Sequence, residues 1–136
     1  MTTYPISDIE SIAPIVRARL KARGIRTTSK LLEQTKSVRH RQLLAEAMDI
    51  DQKSLLEAAN FVDRMRIKGV GEEYSKLLQE VGVDTVRELR YRNPANLAEK
   101  MARANAQRKL VRVLPSKLMI TRWIEEAKKL PLIITY

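Results

Sequence analysis

The sequence predicts an all-α fold, and three observations carry the prediction. Apolar residues recur at intervals of three and four along most of the 136 residues. Glycines, prolines and small polar residues fall where such helices should start and stop. A self-similarity emerges when the chain is shifted by 58 residues, the signature of one helical unit used twice.

Taken in order, Ser7 or Asp8 can cap a short first helix carrying Ile9 and Ile12. Pro14 belongs in the first turn of a second helix, where its missing donor costs nothing; Ile15, Val16, Ala18 and Leu20 are its apolar residues and Gly24 its end. Thr27 or Thr28 starts a third with Leu31 and Leu32 inward. Ser37 heads a fourth with an apolar stripe of Leu43, Leu44, Ala47 and Met48. Asp51 caps a longer helix bearing Leu55, Leu56, Ala59 and Val62, which leads to a turn at Gly69. Beyond it, Tyr74, Leu77, Leu78 and Val81 have helical spacing, and Gly82 sits where a C-terminal cap is expected.

The second half carries clearer signals. Thr85 and Glu88 have the spacing of a capping box, so a short helix should hold Val86 and Leu89. Asn93-Pro94 starts another, with Leu97, Met101 and Ala104 on one face. Leu114-Pro115-Ser116 opens the last, which bears Leu118, Met119, Trp123, Ile124 and Ala127 and stops at Pro131. The apolar stretch Leu132-Ile133-Ile134-Thr135-Tyr136 has no evident strand partner. It reads as an extended end packed on the helices, with a frayed or dimer-forming end as alternatives.

Under the 58-residue shift, Ile9, Leu20, Gly24, Thr27 and Leu31 fall on Ile67, Leu78, Gly82, Thr85 and Leu89. The match loosens after residue 36, and an insertion near Asn105 to Lys109 brings the last helices into line. Two domains follow, a first repeat over 1–64 and a second over 65–136. Ser11 and Ala13 stand where the second repeat has Gly69 and Gly71, so only the second hairpin keeps residues that permit close backbone approach.

Composition narrows the function. Hydrophobic residues make up 44% and charged residues 31%, which is the balance of a globular chain. There is no cysteine, hence no disulfide and no thiolate ligand or nucleophile. No signal peptide or membrane-spanning run is visible, which makes cytoplasmic the expected location. The single histidine, His40, lies between Arg39 and Arg41 and cannot assemble a triad or a zinc site; it reads as an exposed polar residue. Neither an enzyme nor a cofactor is expected, and no small-molecule substrate is evident.

The formal charge is +10. A small protein this basic commonly meets a polyanion. Arg17, Arg19, Lys21, Arg23, Arg26 and Lys30 form one tract without acids, and Lys100, Arg103, Arg108, Lys109, Arg112, Lys117 and Arg122 form another. Tyr74 and Trp123 fall on apolar stripes and read as core residues, so stacking on single strands is a poor primary mechanism.

Ile67-Lys68-Gly69-Val70-Gly71, then Ser75, Leu78 and Gly82-Val83-Asp84-Thr85-Val86, resembles the helix-hairpin-helix motif of DNA repair proteins, ligases and polymerases. From Met65 to Tyr136 the chain is further similar to a bacterial domain family with two such repeats and no settled function. The resemblance implies one helical domain of two degenerate helix-hairpin-helix repeats, with a backbone phosphate bound by the hairpin amides. Carried over, that role falls to Gly69, Val70 and Gly71, with Lys68 and Lys76 as nearby cations. Helix amino termini favour anions in general.

The resulting expectation is sequence-tolerant binding of nucleic acid, duplex DNA in particular, through Lys68, Gly69, Val70, Gly71, Lys76, Arg108, Lys109 and Arg112. Against it, Glu72 and Glu73 occupy the helix turn after the hairpin, where carboxylates repel phosphate. The alternative is a helical protein-interaction module, in which the glycine turn serves only helix packing.

Overall fold

Helix starts in this chain are fixed by side chains that reach back to exposed amides. Thr27 accepts from the Lys30 N–H at 3.2 Å and Ser37 from that of His40 at 3.1 Å. Asp51 accepts from Lys53 at 2.9 Å, Asn93 from Asn96 at 3.1 Å and Ser116 from Met119 at 3.1 Å. Each such cap contributes about 1 kcal/mol. The Glu88 carboxylate accepts from the Thr85 N–H at 3.2 Å and closes the expected capping box.

The structure, a computed structural model, describes residues 3–136. Among them are a 3-10 turn, Ile6–Asp8, and eight α-helices with no strand. The helices are α1 (Pro14–Ala22), α2 (Thr28–Thr35), α3 (Val38–Met48), α4 (Gln52–Arg64), α5 (Glu72–Glu80), α6 (Val86–Leu89), α7 (Pro94–Arg108) and α8 (Lys117–Lys129). No helix is long and apolar enough to cross a membrane. The chain divides into one unit of Met1–Asp63 with Leu132–Tyr136 and another of Arg64–Pro131.

In the first unit α2 packs on α3. Residues 132–136 take no regular structure and are tied to this unit: Thr135 N donates to Lys36 O at 2.8 Å, and Arg41 joins Thr35 O (2.8 Å) to Thr135 O (2.6 Å). Burial holds the Arg41 guanidinium below the usual arginine pKa, and the electrostatic pull of Tyr136 opposes the shift. In the second unit α7 contacts α5 and α8, and α6 contacts α8. Ile67, Val70, Leu77, Leu78, Leu97 and Trp123 belong to its core.

Several expected inward faces are rotated. In α1 only Val16 and Leu20, one turn apart, are buried, while Ile15 and Ala18 face solvent. In α3 the buried row is Arg41, Leu44, Ala45 and Met48, leaving Leu43 and Ala47 outside. An arginine at an inward position hid that register from hydropathy. In α8 the row is Ile120, Trp123, Ile124 and Ala127, which puts Leu118 in solvent. Ile9 and Ile12 are buried beyond the 3-10 turn, not within a helix; a proline at position 14 disfavours helical backbone just before it.

Backbone bonds recur in pairs displaced by 58 residues. Ile25 N to Leu20 O and Val83 N to Leu78 O are both 2.9 Å. Gly24 N to Lys21 O is 3.0 Å and Gly82 N to Gln79 O is 3.1 Å, with both glycines left-handed. Ile12 N to Ile9 O (3.3 Å) pairs with Val70 N to Ile67 O (3.0 Å). Gly69 has φ +89°, whereas Ser11, at the matching position, is not left-handed.

Only one glycine of the Gly69-Val70-Gly71 turn uses its conformational freedom. Gly71, at φ −88° and ψ −163°, is extended backbone open to any residue. Gly69→Ala is expected to destabilise by about 1–2 kcal/mol because of its positive φ. Added bulk is not the reason, since a Cβ would meet Trp123 Nε1 at an ordinary 3.5 Å. Gly71→Ala should change stability by no more than about 0.5 kcal/mol. Urea unfolding of the two variants checks the contrast.

Candidate nucleic-acid interface

The hairpin is the seven-residue connection between α4 and α5, residues 65–71. Lys68 and Gly69 are exposed at its tip and Val70 is buried beneath. Gly71 is the N-cap of α5 and its carbonyl accepts from Ser75 N at 2.9 Å. Lys76, one turn further along α5, is exposed.

Arg64 sets the position of this hairpin. It is buried, and its Nε donates to Ser75 O at 2.9 Å and to Ser75 Oγ at 3.0 Å, while Nη1 donates to Asp84 O at 2.8 Å. One planar fork therefore ties the end of α4 to α5 and to the loop before α6. Arg66, also buried, donates to Pro131 O.

The basic residues divide between the two ends of α5. The α7 C-cap is Lys109, left-handed at φ 50°, with its N–H on Asn105 O at 2.8 Å. Asn105 Oδ1 accepts from Val111 N at 2.9 Å, so this one side chain folds the loop that carries Lys109 and Arg112. Both cations line a recess of about 460 Å³ that Glu73, in the first turn of α5, lines as well. The Tyr74 hydroxyl, donating to Val113 O at 2.9 Å, fastens the loop to that turn. Arg108 is elsewhere: it pairs with Glu80 at 2.7 Å, at the far end of a helix about 13 Å long.

A carboxylate already occupies one hairpin amide. Both oxygens of Glu126, on α8, accept from the Lys68 N–H, at 3.0 and 2.9 Å. Nothing in sequence pointed to Glu126, because its partner lies 58 residues away. Asn105 was marked only by the interruption of the repeat, and nothing in sequence singled out Arg64. Trp123 is buried with Tyr74 packed on it, ring centroids 5.3 Å apart. His40 is exposed, its Nδ1 bonded to the Ser37 hydroxyl.

The glycine hairpin, the buried arginine pinning it and the cationic loop define a helical unit with a basic surface beside a helix amino terminus. Residues 10–130 match a family described as a domain of unknown function (DUF4332), and the chain belongs to that family. No curated protein and no solved structure matches it.

Proposed function

We propose that the chain is a non-enzymatic, sequence-tolerant nucleic-acid-binding protein built from two helix-hairpin-helix units, the first degenerate, and that duplex DNA is its ligand. The paired backbone bonds support the duplicated unit, and the left-handed Gly69 supports an intact hairpin in the second copy alone. The observation carrying the function is that Lys109 and Arg112 share a recess with Glu73, in the first turn of α5, the helix that follows the hairpin, and outnumber its one carboxylate. Phosphates approaching there meet two cations on an ordered loop as well as a helix amino terminus. Fluorescence anisotropy with a labelled duplex should show binding that weakens steeply with salt, as phosphate contacts require. No binding at micromolar protein and low salt refutes the reading.

Glu126 favours the alternative, a protein-interaction module whose hairpin is a packing device. Its carboxylate supplies internally the anion that a phosphate would supply. One substitution separates the two. Glu126→Gln removes a negative charge beside Lys68 and keeps an acceptor for its N–H. If DNA docks at the hairpin, affinity is expected to rise roughly threefold to tenfold, with thermal stability lowered by a few degrees at most. If the hairpin serves packing alone, only the stability change remains.

A further inference from the structure

The first unit has an open groove at positions whose counterparts in the second unit are bridged by a buried arginine. The groove, about 470 Å³, lies between the α1 face carrying Pro14, Ala18 and Lys21 and the segments around Ile6 and Ile25. Those two isoleucines are buried and supply apolar floor. Arg17, Lys21 and Arg26 also line it, and no carboxylate does. Displacement by 58 residues puts Arg64 at the position of Ile6, and Ser75 and Asp84 at those of Arg17 and Arg26. There the Arg64 guanidinium bridges the two segments through its bonds to Ser75 and Asp84. In the first unit the bridging arginine is replaced by isoleucine, and the residues around it have become cations.

We propose that this groove binds a small amphipathic anion, an apolar body with a carboxylate or phosphate head. Its volume lies within the roughly 300–1,000 Å³ of small-molecule sites, which are likewise mostly apolar with a few polar groups that orient the ligand. The body covers Ile6 and Ile25, and the head meets the cations of α1 and Arg26. Arg17 is partly held in advance, since its Nε donates to Ile12 O at 3.0 Å while the rest of the guanidinium remains for the ligand. A nucleobase gains little here because no aromatic ring lines the groove, so the stacking that holds unpaired bases is missing. The inference does not depend on nucleic-acid binding, which is assigned to the other unit.

The test is an amide-resolved NMR titration of the whole protein with sodium decanoate, decyl phosphate and decyltrimethylammonium, each below its micelle threshold. Saturable shifts centred on Ile6, Ala18 and Ile25 are expected with the two anions and not with the cation, and the tighter anion assigns the head group. Lys21→Glu combined with Arg26→Glu is expected to weaken decanoate binding roughly tenfold. Ala18→Trp, at a solvent-exposed helix position, fills the groove and should abolish binding without unfolding the protein. Equal binding of the cation, shifts spread over the second unit, or affinity unchanged in both variants overturns the assignment. So does a groove that responds to an acidic leucine-containing peptide and to neither anion, which makes it a protein-docking site.

Discussion

Replacing Arg64 with methionine is expected to lower stability by about 2–4 kcal/mol. The guanidinium donates to Ser75 O and Ser75 Oγ in buried bonds and to Asp84 O in a half-buried one. Methionine fills similar space but donates nothing, so the buried Ser75 oxygens in particular lose this donor where water cannot readily replace it. Arg64→Lys separates fork geometry from charge. An ammonium on a flexible stem cannot reach acceptors on two elements with the same planarity, and about half the loss should remain. Urea unfolding midpoints at constant m-value measure both variants. If lysine restores full stability, the tie between α4, α5 and the loop before α6 is not a matter of the fork. Because Arg64 positions the hairpin, the methionine variant should also lose hydrogen-exchange protection first around residues 65–75.

Helix boundaries were legible because they depend on local chemistry. The caps at Ser37, Asn93 and Ser116, the capping box at Thr85 and the prolines at 14 and 94 are decided by residues three or four positions apart. Inward faces were less legible wherever a charged side chain took an inward position. Arg41 is buried because its guanidinium bonds two carbonyls, Thr35 O and Thr135 O, the second of them 94 residues away. Hydropathy reads such a residue as surface and rotates the helix around it. The same blindness hid Arg64 and Arg66, whose acceptors are mainly backbone carbonyls and leave no mark on sequence.

The candidate site was legible in its ingredients and not in its arrangement. Lys68, Gly69, Val70 and Gly71 are contiguous, so one turn keeps them together. Lys109 and Arg112 reach the first turn of α5 only because Asn105 folds their loop and Tyr74 holds it, contacts formed between residues far apart in the chain. Arg108, adjacent in sequence to Lys109, is separated from it by the helix end between them. The left-handed Lys109 turns the chain while Arg108 stays on α7 and pairs with Glu80. A basic tract therefore does not translate into a basic patch residue by residue.

Reversal of Lys109 and Arg112 to glutamate together is expected to weaken duplex-DNA binding roughly a hundredfold at about 50 mM salt, while leaving the fold intact, because both side chains are exposed. The loss of two phosphate contacts should also reduce the slope of log affinity against log salt by about 1.8. The needed control changes charge equally elsewhere. Reversing Lys21 and Arg26 alters the formal charge by the same four units, from +10 to +6, at positions in the first unit. Should both double variants lose affinity to the same extent with the same slope, binding reflects overall charge and the loop beside α5 is not a site. A selective loss in the Lys109 and Arg112 variant, together with a gain in Glu126→Gln, places phosphate contacts at the Asn105 loop and at the Lys68 amide. Arg108→Glu is a poorer probe, since it also breaks the ion pair with Glu80 and puts two carboxylates in contact. The hairpin then acts through what surrounds it, Glu126 and the Asn105 loop, more than through its glycines.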